Sequence, residues 1–273
     1  KFVMKLLEGK KISEKILASL KKKISIKKTK PELAVILVGE DKASETYVFL
    51  KEKAAKKIDM SFHKFKFKEN VPEKEIIEKI KELNANKKIS GIIVQLPLPK
   101  KFHTQKIINT IFLQKDVDGF SSQNNSKGLQ PVFPKAIIKT LESSKANLKN
   151  KKTVIIANSK IFGETMQEAL KRKKIESEYI LSKELKQKID KVQKADIIIS
   201  AVGKINLIKS DMIKKGVIIV DGGISKKNGK TFGDVDFRNV SQKASFISPV
   251  PGGVGPVTIA CLLENVYLAS LKK

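Results

Sequence analysis

Tyr47 and Lys51 form a pair of side chains whose types and spacing suggest chemistry. They are four residues apart, so on a helix they would share one face. A lysine beside an aromatic ring at the edge of a crevice could act as an acid or a base, with the ring as a stacking platform. Taken alone, the pair is more simply explained as a solvated lysine and a half-buried tyrosine, because lysines are abundant in this chain.

The elements around this pair decide where it would lie. Residues 33–38 form a short, continuous apolar run that ends at a Gly39-Glu40-Asp41 turn, which predicts a buried strand. Ser44 is a good N-cap for the next segment, rich in Ala, Lys and Glu, which predicts a helix ending near Lys57. This helix would start at the carboxyl end of a strand, where open α/β sheets place their ligand crevices.

Three further motifs carry residues suited to a site. Gln95 ends a strand-like apolar run, 91–96, where its amide could orient a lysine or a water molecule. Asp118 lies in the turn-forming run 115–120, Lys-Asp-Val-Asp-Gly-Phe, and could accept hydrogen bonds from the N–H groups of a heterocycle. The Gly- and Pro-rich run 249–256 would bring bare backbone close to a ligand and then begin a helix. Each motif alone also fits a strand end, an Asx-turn or a tight loop.

Composition narrows the classes of protein. The formal net charge of +28 suggests binding to nucleic acid. However, only two of the 56 basic residues are arginines, the residue type best suited to bind base edges and phosphates. We therefore expect no nucleic-acid partner, and at most the attraction of an anionic small molecule. Cys261 is the single cysteine and lies in an apolar run, which indicates a packed thiol and a reducing compartment.

Membrane and metal classes are also disfavoured. No stretch approaches the ~20 apolar residues of a membrane helix, and the first residues lack the apolar core of a signal peptide. We therefore expect a cytoplasmic protein with no membrane partner. The chain has two histidines, and His103 has no acidic or cysteine residue nearby in its loop, so no metal site is expected.

A second series of elements begins at residues 153–157, a buried strand followed by a helix from about Glu164. Strands and helices then alternate to about residue 220, which predicts a mostly parallel sheet. Asn228-Gly229 indicates a hairpin.

In this order, the four motifs closely resemble one family, the methylenetetrahydrofolate dehydrogenase/methenyltetrahydrofolate cyclohydrolase enzymes. Pro-Val-Pro-Gly-Gly-Val-Gly-Pro at 249–256 is highly specific for it, and Lys-Asp-Val-Asp-Gly at 115–119 is nearly so. The likeness covers nearly the whole chain and extends to the runs 195–203, 221–224 and 233–235.

The resemblance implies an α/β fold with two α/β domains around a cleft. Residues 1–134 plus 249–273 would form the folate-binding catalytic domain, and 135–248 a Rossmann-like NAD(P)-binding domain. It also implies a homodimer packed through the cofactor domains.

The resemblance further implies two reactions. A hydride passes from 5,10-methylenetetrahydrofolate to a nicotinamide cofactor, and water then opens the methenyl product to 10-formyltetrahydrofolate. By this likeness Lys51 is the acid/base residue of the hydrolytic step, which requires a lowered pKa. Gln95 would hold Lys51, Tyr47 would stack on the substrate, and Asp118 would anchor the pterin ring. The implied substrate-binding residues are Tyr47, Leu96, Pro97, Asp118, Pro251, Gly252 and Gly253.

The implied cofactor is NADP, with NAD as the alternative. The implied cofactor-binding residues are Asn158, Ser159, Lys160, Gly163, Ser182, Ala201, Val202, Gly203, Gly223, Ile224 and Thr258. Asn158 stands where the family has an arginine and carries no charge for a 2′-phosphate, although Lys160 could compensate. Glu164, at the expected start of a helix, would repel a pyrophosphate unless it points away. We therefore predict weak discrimination between NADP and NAD.

Three functions stay open on these grounds. The first is a bifunctional dehydrogenase and cyclohydrolase, which keeps both halves of the resemblance. The second is a cyclohydrolase with weak or lost dehydrogenase activity, because the departures cluster on the cofactor side. The third is a non-enzymatic basic protein that binds nucleic acid.

Overall fold

The computed structural model describes residues 4–27, 30–121 and 128–272. Its helices and strands, in chain order, are β1 (Lys5–Leu6), α1 (Gly9–Lys27), β2 (Glu32–Val38), α2 (Lys42–Lys57), β3 (Ser61–Phe67), α3 (Glu73–Ala85), β4 (Gly91–Val94), α4 (Thr104–Asn109), α5 (Val132–Glu142), β5 (Thr153–Ala157), α6 (Lys160–Lys171), β6 (Ser177–Leu181), α7 (Ile189–Lys194), β7 (Ile197–Ala201), β8 (Ile218–Asp221), β9 (Ser225–Lys227), β10 (Lys230–Phe232), α8 (Phe237–Val240), β11 (Phe246–Ile247) and α9 (Val254–Ser270). Short 3-10 turns cover Ser182–Glu184 and Ser210–Met212.

The chain forms two compact units, each assembled from two separate stretches. The N-terminal unit consists of Glu14–Val132 and the chain from Ile259 onward. The C-terminal unit consists of the chain up to Ser13 and Phe133–Thr258.

A parallel sheet in the order β3-β2-β4 is the centre of the N-terminal unit. Every side chain of β2 after Glu32 is buried, as the apolar run predicts. A parallel bridge from Ile92 to Asp116 carries the pairing one segment beyond β4. Helix α2 connects β2 to β3, which pairs with one edge of β2. Helix α3 then connects β3 to β4, which pairs with the other edge of β2. The carboxyl ends of β2 and β4 therefore flank a switch point, where α/β sheets bind ligands.

Helix α2 begins earlier than the sequence predicts. Asp41, not Ser44, is its N-cap, and the Asp41 carboxylate accepts a hydrogen bond from the Ser44 backbone N–H at 2.7 Å. The prediction that Ser44 is the cap is therefore wrong: Asp41 is an equally good capping residue, and its side chain reaches the first-turn N–H. The Ser44 side chain is instead buried in the first turn.

A larger parallel sheet, in the order β1-β11-β8-β7-β5-β6, forms the C-terminal unit. Its central strands β5, β7 and β8 are mostly apolar and almost entirely buried, as expected for a sheet covered on both faces. The chain leaves β5 to form β6 on one side and returns to form β7 on the other, so the carboxyl ends of β5 and β7 flank a second switch point. The predicted hairpin is β9–β10, with positive φ at both Asn228 and Gly229, as in a type I′ turn.

The first residues of the chain are predicted to belong to the domain of residues 1–134, but the chain up to Ser13 groups with the C-terminal unit. Strand β1 pairs in parallel with β11 in the C-terminal unit, and the Leu7 N–H donates to the Ile247 carbonyl at 2.9 Å. A Cβ on Gly9 would lie 1.6 Å from the Gly253 carbonyl oxygen. Helix α1 therefore starts in direct backbone contact with residues 249–256, called the Gly/Pro loop below. These contacts attach the first residues of the chain and the start of α1 to the C-terminal unit.

The helices and the acidic, histidine and cysteine side chains bear on membrane and metal binding. No helix within the described residues is long and apolar enough to cross a membrane. No group of three or more His, Cys, Asp or Glu side chains within residues 4–27, 30–121 and 128–272 is placed to hold a metal ion. His103 does have an acidic neighbour, contrary to the sequence-based expectation, because its Nδ1 lies 3.1 Å from a carboxylate oxygen of Glu73, on α3. Cys261 is buried.

Candidate active site

Lys51 and Gln95 meet near the carboxyl ends of β2 and β4. Lys51 lies on α2, which follows β2, and Gln95 directly follows β4. The Lys51 Nζ donates a hydrogen bond to Gln95 Oε1 at 2.9 Å. The Gln95 Nε2 donates to the Leu96 carbonyl at 2.6 Å, which fixes the amide with its oxygen toward the lysine. The pair has the geometry expected of an amide that orients a lysine.

Burial controls the charge of this lysine. It lowers the pKa of Lys51, and the nearby Asp118 carboxylate partly opposes that effect. Burial also raises the pKa of Asp118 to about 6, against the attraction of Lys51 and with the help of the Asp116 charge. Gln95 offers an acceptor without charge, so it holds Lys51 without the rise in pKa that a carboxylate would bring. This lysine therefore loses its proton more readily than a solvated one.

Lys115 and Asp116, in the Lys-Asp-Val-Asp-Gly run, fix the backbone around Asp118. The Asp116 carboxylate accepts hydrogen bonds from the Gly119 and Ser121 backbone N–H groups, both at 2.9 Å. Lys115 is buried, and its Nζ donates to carbonyl oxygens at the end of α3 at distances of 2.7 to 2.9 Å. These carbonyls belong to Leu83, Asn84 and Asn86. The motif thus combines a helix anchor, a turn and one carboxylate near Lys51.

The other predicted residues of this unit lie close by in the chain. Tyr47 is half-buried one turn before Lys51, and burial raises the pKa of its phenol, so the hydroxyl stays protonated near neutral pH. The Ser44 Oγ, one turn earlier still, is buried with no hydrogen-bond partner among the residues that the structure describes. Leu96 is half-buried and Pro97 is exposed, and the peptide bond between them is cis.

The Gly/Pro loop belongs to the C-terminal unit. Pro251 and Gly252 are exposed, and Pro251 follows a cis peptide bond. Gly252 has a φ of +100°, which only glycine adopts readily. Gly253 is buried, and a Cβ there would lie 2.4 Å from the Pro249 carbonyl oxygen. The loop therefore needs both glycines for its shape.

The turn after β5 differs from the sequence-based expectation at one important residue. Helix α6 begins at Lys160, with Ser159 as N-cap accepting from the Phe162 N–H at 3.3 Å. The prediction that Glu164 lies at the helix start is therefore wrong: it lies one turn inside the helix, because Ser159 caps the helix five residues earlier. It is exposed, and its carboxylate lies 3.6 Å from the Lys160 Nζ, which offsets the expected repulsion of a pyrophosphate.

Gly163 has a packing role. A Cβ on this residue would lie 2.6 Å from the ring of Tyr179, so the glycine lets α6 approach β6. Asn158, Ser159 and Lys160 are all exposed at the end of β5.

The remaining predicted cofactor residues follow other strands of the same parallel sheet. Ala201, Val202 and Gly203 lie at the end of β7, and Gly223 and Ile224 follow β8. Because all these strands are parallel, their carboxyl ends share one edge of the sheet with Asn158. Ser182 is half-buried after β6. The Thr258 hydroxyl donates to a carbonyl oxygen of its own helix, that of Gly255.

Two family models together match most of the chain. The tetrahydrofolate dehydrogenase/cyclohydrolase catalytic domain matches residues 7–118, and the NAD(P)-binding domain of the same enzymes matches residues 131–273. The chain belongs to the tetrahydrofolate dehydrogenase/cyclohydrolase family.

Full-length relatives agree with this membership. The chain is 44% identical to the bifunctional protein FolD of Nautilia profundicola, over 98% of this chain and 97% of that one. The crystal structure of the Campylobacter jejuni enzyme FolD, a methylenetetrahydrofolate dehydrogenase/cyclohydrolase, has a TM-score of 0.93 at 40% identity and covers 99% of both chains. The Trypanosoma brucei enzyme, solved with NADP cofactor and inhibitor, has a TM-score of 0.92 at 27% identity and covers 98% of both chains.

The predicted family, the α/β fold with its Rossmann-like domain, and the enzyme class are therefore confirmed. As a member of the tetrahydrofolate dehydrogenase/cyclohydrolase family, the chain is a bifunctional dehydrogenase and cyclohydrolase of one-carbon metabolism, with an NAD(P)-binding domain.

Sequence reasoning missed two residues that support the site in this family member. Asn265, on α9, is fully buried, and its Nδ2 donates to the carbonyls of Val117 and Gln130, both at 2.9 Å. It thereby fixes the backbone next to Asp118. Lys115 is the other, since the sequence places it in a family motif but indicates no partner for it. An asparagine within a mostly apolar helix is the signal that could have identified Asn265.

Proposed function

We propose that Lys51 is the acid/base group that hydrolyses 5,10-methenyltetrahydrofolate. The observation that carries the proposal is a lysine of lowered pKa hydrogen-bonded to an uncharged amide. Neutral Lys51 takes a proton from water as the water oxygen bonds to the methenyl carbon. The resulting ammonium gives this proton to N5 as the bond between N5 and that carbon breaks. The remaining hydroxyl proton passes to solvent as the formyl C=O forms, which leaves 10-formyltetrahydrofolate.

Substrate binding, in this proposal, uses the residues that the family resemblance implies. Asp118 accepts hydrogen bonds from the N–H groups of the pterin, and Tyr47 stacks on the flat part of the substrate. Backbone and apolar surface around the substrate come from Leu96, Pro97, Pro251, Gly252 and Gly253. The half-buried ring of Tyr47 supports its role, and with a pKa of about 6 the Asp118 carboxylate is mostly charged at neutral pH and can accept hydrogen bonds.

The charge of Asp118 gives this assignment a pH signature. Its pKa is raised to about 6, so the carboxylate is charged above that pH and protonated below it. We expect the KM for methenyltetrahydrofolate to rise as pH falls through about 6, by up to about tenfold per pH unit, because protonation blocks one acceptor. Initial rates between pH 5 and 8 measure this. In the Asp118→Asn variant the rise in KM near pH 6 should vanish. A rise in KM near pH 6 that persists in this variant contradicts the assignment.

We propose NADP as the preferred cofactor, with NAD also accepted. When bound, it accepts the hydride from the methylene carbon of the substrate. Asn158, Ser159 and Lys160 are exposed beside the switch point of the sheet, where Lys160 pairs with Glu164. The contacts are completed by Gly163, Ser182, Ala201, Val202, Gly203, Gly223, Ile224 and Thr258.

Asn158 makes the choice between NADP and NAD testable. We expect kcat/KM with NADP to exceed that with NAD by less than about tenfold, because Asn158 supplies no charge to a 2′-phosphate. Asn158→Arg should raise this ratio by about tenfold or more. Asn147→Arg, at an exposed position of the same unit, controls for added charge. A strong preference for NADP in the parent enzyme would contradict the expectation.

A paired assay tests the bifunctional assignment for this chain. Purified protein is given 5,10-methylenetetrahydrofolate with NADP or NAD, and methenyl formation is followed; hydrolysis of methenyltetrahydrofolate is followed separately without cofactor. Both activities are expected. Hydrolysis without cofactor reduction would favour the second function, a cyclohydrolase with a weakened dehydrogenase half, for which the neutral Asn158 is the specific observation.

The assembly we propose is a homodimer. It rests on the family resemblance and is checked by the molar mass in solution from light scattering. A monomer at the concentrations used for activity would contradict it.

A further inference from the structure

The side-chain carboxylate of Asp234 accepts four hydrogen bonds, more than a residue needs to hold its own turn. It is fully buried, directly after Gly233 in the segment that follows β10. Its Oδ1 accepts from the backbone N–H groups of Gly203 and Lys204, at 2.8 and 2.7 Å. Its Oδ2 accepts from the Val202 N–H at 2.8 Å and from the Ser200 hydroxyl at 2.6 Å. One carboxylate thus binds three consecutive N–H groups of the loop after β7.

A second carboxylate and two glycines lock this arrangement. Asp221 accepts from the N–H groups of Gly223, Asp234 and Val235, at 2.9, 3.1 and 3.0 Å. A Cβ on Gly223 would lie 2.1 Å from the Asp234 carboxylate, and one on Gly233 would lie 2.1 Å from the Asp221 carboxylate. The loops after β7, β8 and β10 therefore interlock around two buried acids, and neither glycine tolerates a side chain.

We propose that Asp234 is a positioning residue for the dehydrogenase reaction, which orders the backbone of residues 202–204 before the nicotinamide dinucleotide binds. The inference rests on the proposed function, in which Val202 and Gly203 contact that cofactor. A loop that is already ordered loses less entropy on binding, so the carboxylate contributes to cofactor affinity without touching the cofactor. Charge-assisted bonds from three N–H groups and a hydroxyl suit this role, because they are shorter and stronger than neutral ones.

Asp234→Asn tests the proposal with little change in volume. Whichever way the amide is turned, its NH2 group faces at least one backbone N–H, so the loop loses an acceptor. We expect the KM and Kd for NADP to rise by about tenfold, with a smaller change in kcat. Hydrolysis of methenyltetrahydrofolate without cofactor should keep the parental rate. Asp236→Asn, two residues on, is the matched control, since its carboxylate accepts from Asn239 and none of the loop N–H groups.

The outcomes separate this inference from the proposed function. Unchanged cofactor affinity in Asp234→Asn, or an equal loss of both activities, overturns the role of Asp234. If the parent protein reduced neither NADP nor NAD, the bifunctional assignment would fall, and the Kd for NADP would still decide the role of Asp234.

Amide exchange in the parent protein decides the matter even if the variant does not fold. Without dinucleotide, the N–H groups of Val202, Gly203 and Lys204 should exchange at least about tenfold more slowly than those at Asn228 and Gly229, the turn of the β9–β10 hairpin. Exchange at equal rates would overturn the proposal, because the loop would then not be ordered in advance.

Discussion

Replacing Lys51 by methionine should lower the rate of methenyltetrahydrofolate hydrolysis by about a thousandfold. The variant keeps the length and the apolar stem of the side chain but has no nitrogen to accept the proton of water. Neutral Gln95 cannot replace it, because an amide is not a base near pH 7. The rate is measured at saturating substrate, after subtraction of the uncatalysed hydrolysis.

Two variants make the Lys51 prediction specific. Lys53→Met, at an exposed position of the same helix, should leave hydrolysis at the parental rate. Gln95→Glu should move the pH dependence of hydrolysis to higher pH, because a carboxylate beside Lys51 stabilises its charged form. Parental hydrolysis by Lys51→Met would remove Lys51 from the mechanism. An unmoved pH profile in Gln95→Glu would mean that the charge of Lys51 does not limit the reaction.

Lys115→Met should destabilise the N-terminal unit by about 3 kcal/mol. The replacement fills a similar volume, but the carbonyls of Leu83, Asn84 and Asn86 each lose a donor at the end of α3. The positive charge at the negative end of the helix dipole is lost as well. Chemical denaturation followed by far-UV circular dichroism measures the change in the free energy of unfolding.

An exposed neighbour supplies the control for Lys115. Lys87 lies just beyond the end of α3, and Lys87→Met should change the unfolding free energy by less than about 0.5 kcal/mol. If Lys115→Met unfolded at the parental denaturant concentration, Lys115 would not be an anchor for α3.

The meeting of Lys51 with Gln95 is the part of the site that sequence reasoning predicts well. Both follow buried parallel strands, and the carboxyl ends of such strands share one edge of a sheet. Local patterns therefore place both residues after neighbouring strands, and the family resemblance implies that the two side chains meet. The helix cap was less certain, since Asp41 and Ser44 are comparable capping residues, and only the folded turn shows which side chain reaches an N–H.

The residues that support the site could not be predicted, because their partners are distant in sequence. Asn265 bonds to the Val117 carbonyl across 148 positions, and Lys115 bonds to Leu83 across 32. No periodicity links such pairs. Asp234 is similar: the sequence marks it as part of a family motif, yet the donors that it binds come from a loop 30 to 34 residues earlier.

The division of the chain has a consequence for its synthesis on the ribosome. Strand β1 is translated long before β11, with which it pairs, and the N-terminal unit includes the chain from Ile259 onward. The C-terminal unit therefore cannot complete its fold before β11 has been translated, and the N-terminal unit cannot do so before the segment from Ile259 onward has been translated. A nascent chain that stalls before β11 leaves both units incomplete, whereas one that stalls just after Thr258 lacks only part of the N-terminal unit.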